Sequence, residues 1–355
     1  MDLNDTLETA FLAAGRFEAG GTADPAEPTD EVTGPLPSVP PWWGGLLAAA
    51  AWFGVASLTG LWPDADDFDR TGLLGGILAG IGAALASASV LHTILGGEGA
   101  VLARLRRLGP WLITLAMLLA VWELATAKLD LLPRPFFAAP QALLEVFTDD
   151  WPRLGESVLR SLLLLLPAYA IGAAAGFLTG VAVGWSRAIG YWVHPVLRLI
   201  GPLPAVAWLP LAFFAFPSSG SASTFLIALA TFFPVAVLTW SGVAGVGTAY
   251  YDIARTMGAA PWFLIRKVAV PAAMPSVFVG LFMGLGASFS VLVVAEMLGV
   301  KAGLGWYMQW AQGWAAYANM YAALLIMALM CSALITLLFR LRDRLLSWQK
   351  GLVRW

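Results

Sequence analysis

Residues Tyr250–Pro275 read YYDIARTMGAAPWFLIRKVAVPAAMP, a polar island between two apolar walls. One membrane-length apolar segment, Ser221–Val243, precedes it, and another, Ser276–Leu298, follows. The island carries helix-forming residues, a central Gly258, a restart at Pro261 and a basic end at Arg266 and Lys267. A connector between two spans needs none of that order. The stretch reads as a surface shaped for a partner at the membrane face.

Composition agrees with a membrane setting. The 355-residue chain is 59% hydrophobic and only 12% charged, with a mean hydropathy of +0.78, far from a soluble domain. A net charge of −2 gives no reason to expect nucleic acid as a partner. Cys331 is the single cysteine, so the chain forms no internal disulfide and no cysteine metal cluster. His92 and His194 lie far apart in sequence, which argues against a histidine metal site, and no paired carboxylates or Ser-His-Asp set indicate catalysis. Residues 1–41 carry Pro25, Pro28, Pro35, Pro37, Pro40 and Pro41 among Gly, Thr and acids, and are expected to be disordered apart from a short helix over Leu3–Phe17. With an acidic start and no basic region before an apolar core, they do not read as a signal peptide.

A spanning helix needs roughly 20 apolar residues. Eight crossings are expected, at about 43–62, 71–96, 110–127, 156–185, 190–216, 221–243, 276–298 and 320–340. The fifth contains Pro195, Pro202, Pro204 and Pro210 and should be bent or broken, which places it where neighbours or water can satisfy the freed carbonyls. Arg104, Arg106, Arg107, Arg187, Arg255, Arg266, Lys267, Arg340, Arg342, Arg344, Lys350 and Arg354 all fall on one side by alternation. That side is read as cytoplasmic, with both termini on it. Asp64, Arg70, Lys128, Asp149, Asp150, Arg153 and Lys301 fall on the other.

Within the spans, Gly172, Gly176, Gly180 and Gly184 repeat every four residues on one helix face, as do Gly72, Gly76 and Gly80. Such stripes let a second helix approach closely, within the chain or across a dimer. Glu123 and Glu296 are intramembrane acids that each require a partner or water. Each is either a pathway or gate position or the acceptor of a structural hydrogen bond. Most tryptophans, Trp42, Trp43, Trp62, Trp111, Trp151 and Trp185 among them, sit near span ends as an interfacial belt would. Trp306, Trp310 and Trp314 could also stack on a ligand.

The island resembles the "EAA" loop of ABC importer permeases, whose pattern is E-A-A, three residues, G, nine residues, I-x-L-P. Asp252, Ile253 and Ala254 stand at its opening, Gly258 and Pro271 match, and Val268 and Val270 replace Ile and Leu. The run Ala254-Arg255-Thr256-Met257-Gly258-Ala259 with Trp262 resembles the nitrate/sulfonate/bicarbonate (taurine-type) branch. So do Trp122-Glu123-Leu124, Leu132-Pro133, Pro204, Pro210-Leu211, Phe233-Pro234, Val294–Leu298 and Gly303-Leu304-Gly305, over about residues 105–350. Asp252 in place of Glu shortens the acidic arm, and Ala215-Phe216-Pro217 replaces the branch's usual W-F-G turn.

The resemblance implies an all-α, polytopic type I importer transmembrane domain with two extra N-terminal spans. It divides the chain into a tail (1–41), an added two-span region (42–104), a permease domain (105–340) with its coupling loop at 250–275, and a cytoplasmic amphipathic tail (341–355). It implies a transport subunit without catalytic residues or a cofactor of its own. Consistently, no G-x-x-x-x-G-K-[ST] phosphate loop occurs, so ATP and Mg²⁺ belong to a partner ATPase. Asp252, Ile253, Ala254, Arg255, Thr256, Gly258, Ala259, Trp262 and Pro271 would engage that ATPase through one or two short helices, the second starting at Pro261. The other expected partners are a second permease copy or a related permease, a periplasmic solute-binding protein and the bilayer of the bacterial inner membrane. The expected cargo is a small solute, foremost an anion such as nitrate, a sulfonate or taurine, or bicarbonate. The rival readings are an ion-coupled secondary transporter using Glu123 or Glu296, and a non-transporting membrane scaffold.

Overall fold

Helices account for nearly every ordered segment of the protein, because a chain this apolar must satisfy its backbone internally inside lipid. The computed structural model describes residues 42–95, 100–132, 135–201 and 203–349; the tail expected at 1–41 and the end of the expected C-terminal tail lie outside them. The N-terminal spans are α1 (Trp43–Leu61), α2 (Thr71–Leu95) and α3 (Ala100–Glu123), the last ending in a π turn over Leu124–Lys128. A short α4 (Pro140–Asp149) leads to the long α5 (Trp151–Trp185), then α6 (Arg187–Ile200), a 3₁₀ turn over Ala205–Trp208 and α7 (Leu209–Ala215). Next come α8 (Ser219–Ala244), α9 (Thr248–Thr256) in the island, α10 (Val270–Leu298), α11 (Leu304–Gly313) and α12 (Tyr317–Leu345). Residues 341–345, expected in a separate tail, continue the last span instead.

The core is organised around α8. The glycine stripe of α5 lies directly against it: a Cβ built on Gly180 would sit 2.6 Å from the Ala236 carbonyl oxygen, and one on Gly184 would sit 2.7 Å from the Val243 Cβ. Gly172 meets Ala228 and Gly176 meets Phe232 in the same way. The stripe thus serves packing within the chain. On its other side α8 receives α10, whose Gly280 and Gly284 abut Pro234 and Thr231. Buried Leu165, Leu226, Ile227, Leu285, Leu292 and Tyr307 fill the space among these helices. By contrast, Gly72, Gly76 and Gly80 on α2 have open space where a Cβ would be, so the second stripe packs on nothing described within the chain.

These contacts also fix direction. Rising numbers on α5 pair with rising numbers on α8, so the two run parallel, while α10 pairs with α8 in falling order and runs antiparallel. A chain that leaves α5 at one face and enters α8 at the opposite face must cross between them. Among the described residues, seven helices are long and apolar enough to span, and α6 with the 205–215 segment forms a further pair bent by 88°. That bent pair is the return crossing, the broken fifth span that its prolines demand.

The N-terminal region has a core of its own. Ala48, Ala49, Trp52 and Val55 of α1, Leu74, Leu78 and Leu85 of α2 and Ala116 of α3 form it. The third span, assigned by its Trp122-Glu123-Leu124 to the permease domain, therefore packs with the two added spans. Its C-terminal end is fastened to them by a buried polar clasp. The Lys128 ammonium, widened into position by the π turn, lies 2.7 Å from Asp64 Oδ1, donates to the Thr59 carbonyl at 3.0 Å and also reaches the Trp62 carbonyl. Thr59 Oγ1 donates to Glu123 Oε2 at 2.8 Å, and Gln141 Nε2 on α4 donates to Glu123 Oε1 at 2.9 Å.

Candidate functional site

Helix α9 forms the first half of the island and ends in a motif that explains its glycine. The Gly258 N–H donates to the Arg255 carbonyl at 2.9 Å and the Ala259 N–H to the Ala254 carbonyl at 3.0 Å. This pair of bonds is a Schellman C-cap, which requires a left-handed residue between helix and exit. Gly258 supplies it at φ +79°, with nothing near its missing side chain. The Thr256 hydroxyl donates to the Ile253 carbonyl, and Arg255 pairs with Asp252 at 3.4 Å on the solvent side. Such an exposed pair contributes at most about 1 kcal/mol.

The second half differs from expectation. Pro261 does open a helical turn, Pro261–Phe263, but that turn runs through a π segment at Leu264–Ala269 straight into α10. No separate second helix forms: Pro261–Leu298 is one 38-residue span. Pro271 accounts for the irregularity. It lacks an N–H for the carbonyl four residues back, and its ring crowds that carbonyl. The wider π turn just before it relieves the conflict.

The island is seated on the bundle by a small apolar cluster. Val243, Ala269 and Ala273 are buried together, with Val181, Trp185 and Tyr251 packed around them. Trp185 meets Tyr251 edge-on at 5.8 Å between ring centroids, so α9 is anchored to the end of α5. Burial pushes the Tyr251 phenol up, partly opposed by the Arg255 charge. The face turned away from the bundle is apolar and uncovered: Ile253, Met257, Trp262 and Phe263 are all exposed, Met257 at 83%. The structure therefore gathers Asp252, Ile253, Ala254, Arg255, Thr256, Gly258, Ala259 and Trp262 at one end of the molecule, with Pro271 at the junction beneath them.

The two intramembrane acids are elsewhere. Glu296 is 25 residues beyond Pro271 on α10, about 37 Å along a helix. Its Oε2 accepts the Gly305 N–H at 2.7 Å, at the N-terminus of α11, where a carboxylate complements the helix dipole. The neighbouring Leu304 N–H donates to Ser161 Oγ on α5 at 2.9 Å. Gly303, at φ +97°, lies so close to the carboxylate that a Cβ there would overlap it. This is the physical reason for Gly303-Leu304-Gly305. Glu123 is fully buried in the N-terminal clasp. Both acids accept hydrogen bonds where they sit.

A family model described as "Binding-protein-dependent transport system inner membrane component" matches residues 172–350, from the glycine stripe through the island to the end of the last helix. The chain belongs to that family. Among similar proteins, the nitrate import permease protein NrtB of Synechococcus elongatus is 27% identical over 207 residues, covering 56% of this chain and 74% of that one. The taurine transport system permease protein TauC of Escherichia coli is 32% identical over 203 residues, covering 54% and 72%. The putative aliphatic sulfonates transport permease protein SsuC of Bacillus subtilis is 27% identical over 241 residues, covering 66% and 86%.

This permease is an all-α, multi-pass inner-membrane transport component, in keeping with its family and with the seven apolar helices of membrane length among its described residues. Several of its organising residues carried no signal in sequence. Thr59, Asp64, Lys128 and Gln141 are scattered over a long stretch of chain, and only the fold brings them to Glu123. Tyr307 donates to Asp150 Oδ2 at 2.6 Å and accepts from Asn319 at 2.7 Å, tying α11 and α12 to the start of α5. Burial, reinforced by the Asp150 carboxylate, pushes the Tyr307 phenol up. Polar residues of ordinary type at long separations become legible only as partners.

Proposed function

We propose that this permease is the transmembrane subunit of an ATP-driven importer, and that residues 250–275 are the element through which a separate ATPase moves it. The observation that carries the reading is the form of the island: a short capped helix, rigidly seated through Tyr251 and Trp185, presenting Ile253, Met257, Trp262 and Phe263 outward. An uncovered apolar face on an otherwise anchored loop is what a docking surface needs. Because the second half of the island runs without a break from Pro261 into α10, a push on it is delivered to a helix that lines the core. Hydrolysis of ATP with Mg²⁺ takes place on the partner, and alternating access follows as two permease copies, identical or related, rock between two packings. The island then faces the cytoplasm with both chain termini, and a periplasmic solute-binding protein delivers cargo to the opposite face. The relatives named for nitrate, taurine and aliphatic sulfonates support a small anion as that cargo.

The test is uptake by the permease reconstituted in vesicles with its partner ATPase and solute-binding protein. The expected result is accumulation of nitrate or a sulfonate that needs internal ATP and persists when ion gradients are collapsed. Uptake that follows a proton or sodium gradient without ATP overturns the reading in favour of a secondary transporter.

A further inference from the structure

At the end of the bundle opposite the island, the first turns of α5 and the segment from Lys301 through α11 enclose a cavity of about 390 Å³. They are opposite because α10 spans between Pro271 and Lys301. At roughly 30 Å³ per water, the cavity has room for about a dozen waters, enough for a small solute that keeps part of its hydration. Its wall is lopsided in charge. Arg153, Arg160 and Lys301 all contribute to it, against a single lining carboxylate, Glu156.

The three cations are held differently. Arg160 lies 3.4 Å from Glu156, an exposed pair. Arg153 lies 3.6 Å from Asp150, and its guanidinium carbon sits over the Trp310 ring at 5.8 Å from the centroid. Lys301 makes no ion pair with any described residue and is exposed. The loop bearing Lys301 is itself pinned, because Gly303 and Gly305 are pressed onto the Glu296 carboxylate behind the wall. Trp306 and Trp310 supply apolar flanks. Guanidinium donors match the geometry of oxyanions, and the Lys301 ammonium adds a point charge.

We propose that this cavity is a receiving site for a small oxyanion of the nitrate or sulfonate class. Arg153, Arg160 and Lys301 supply the charge, and Trp306 and Trp310 flank any short carbon chain. The proposal rests on the importer reading above for its orientation, with the cavity on the side where solute arrives. It also assigns the ligand to residues of this chain instead of to the binding protein alone.

Charge-selective thiol labelling tests it without requiring transport. In the full-length chain carrying Cys331→Ser and Ala302→Cys, placed in lipid nanodiscs, the lone thiol lies in the cavity wall. Its rates with an anionic (sulfonatoethyl) and a cationic (trimethylammonioethyl) methanethiosulfonate are each normalised to a free thiol in solution. The anionic reagent should be favoured by about tenfold or more, the scale on which a charged cleft concentrates its counter-ion. The preference should drop several-fold with Lys301→Gln or Arg160→Gln and remain with Lys301→Arg. Nitrate, methanesulfonate or taurine should slow the labelling in a dose-dependent way. A normalised ratio at or below one, or labelling that none of the three solutes slows, overturns the proposal. ATP-driven uptake by the assembled transporter is a separate measurement, so failure of this site and failure of the importer reading are told apart.

Discussion

Gly258 combines two demands at one position: α9 must end there, and the exit must turn through left-handed backbone at φ +79°. Any other L-residue adds roughly 1–2 kcal/mol of strain, with Asn among the least affected. Gly258→Asn is therefore expected to preserve ATPase association, whereas Gly258→Val should weaken it. Co-purification of each variant checks this, with circular dichroism showing that both remain helical. The glycine was legible in sequence as a motif position, but its conformational reason was not, because the need for positive φ arises from the two bonds around it. On the opposite face, Asp149 lies below the usual carboxylate range because Arg70 donates to it at 2.8 Å. A depressed carboxylate contributes stability above its unfolded value, about pH 4, and loses it as pH falls through the folded value. In melts from pH 7 to pH 3, Asp149→Asn should lie below the wild type at neutral pH and converge with it in acid.

At the scale of elements, the α5–α8 pair shows what periodicity can and cannot say. The spacing of Gly172, Gly176, Gly180 and Gly184 placed a close helix partner on one face of α5. It could not choose between α8 of the same chain and a second copy, and the identical spacing on α2 has no described partner at all. The difference lies in the facing helix, which no local pattern records. Gly180→Leu should force α5 from the Ala236 carbonyl and cost about 1–3 kcal/mol or more as overpacking. A lower melting temperature of the purified protein, with little change for Gly76→Leu, is the expected outcome. The island helix was legible from its helix-forming residues and central Gly258, as was the broken fifth span from its prolines. The π turn below the island was not foreseen, although Pro271 is its cause.

At the scale of the whole molecule, the three N-terminal spans pack as one unit. Sequence resemblance began near residue 105 and drew the third span into the permease domain, yet α3 shares its core with α1 and α2. Polar links join that unit to the rest, Gln141 of α4 reaching Glu123 and Arg70 reaching Asp149, while Lys128 closes the clasp inside the unit. The Lys128 ammonium is fully enclosed, so removing it leaves Asp64 and Glu123 uncompensated. Breaking one side of a buried pair costs about 3–5 kcal/mol. Lys128→Met should lower the melting temperature strongly, and trimming of the N-terminal unit by protease should rise in parallel. Amphipathic patterning made the spans readable, whereas these contacts depend on charges far apart in sequence that meet only after the helices pack.

The central claim is that the island transmits motion from a cytoplasmic ATPase. A photo-crosslinking amino acid placed at Trp262, which is 69% exposed, reads this directly in intact cells. The account predicts an adduct of one ATPase subunit with the permease, changing in yield when ATP hydrolysis is blocked. Crosslinks only to periplasmic proteins, or no adduct while solute uptake continues, would contradict it.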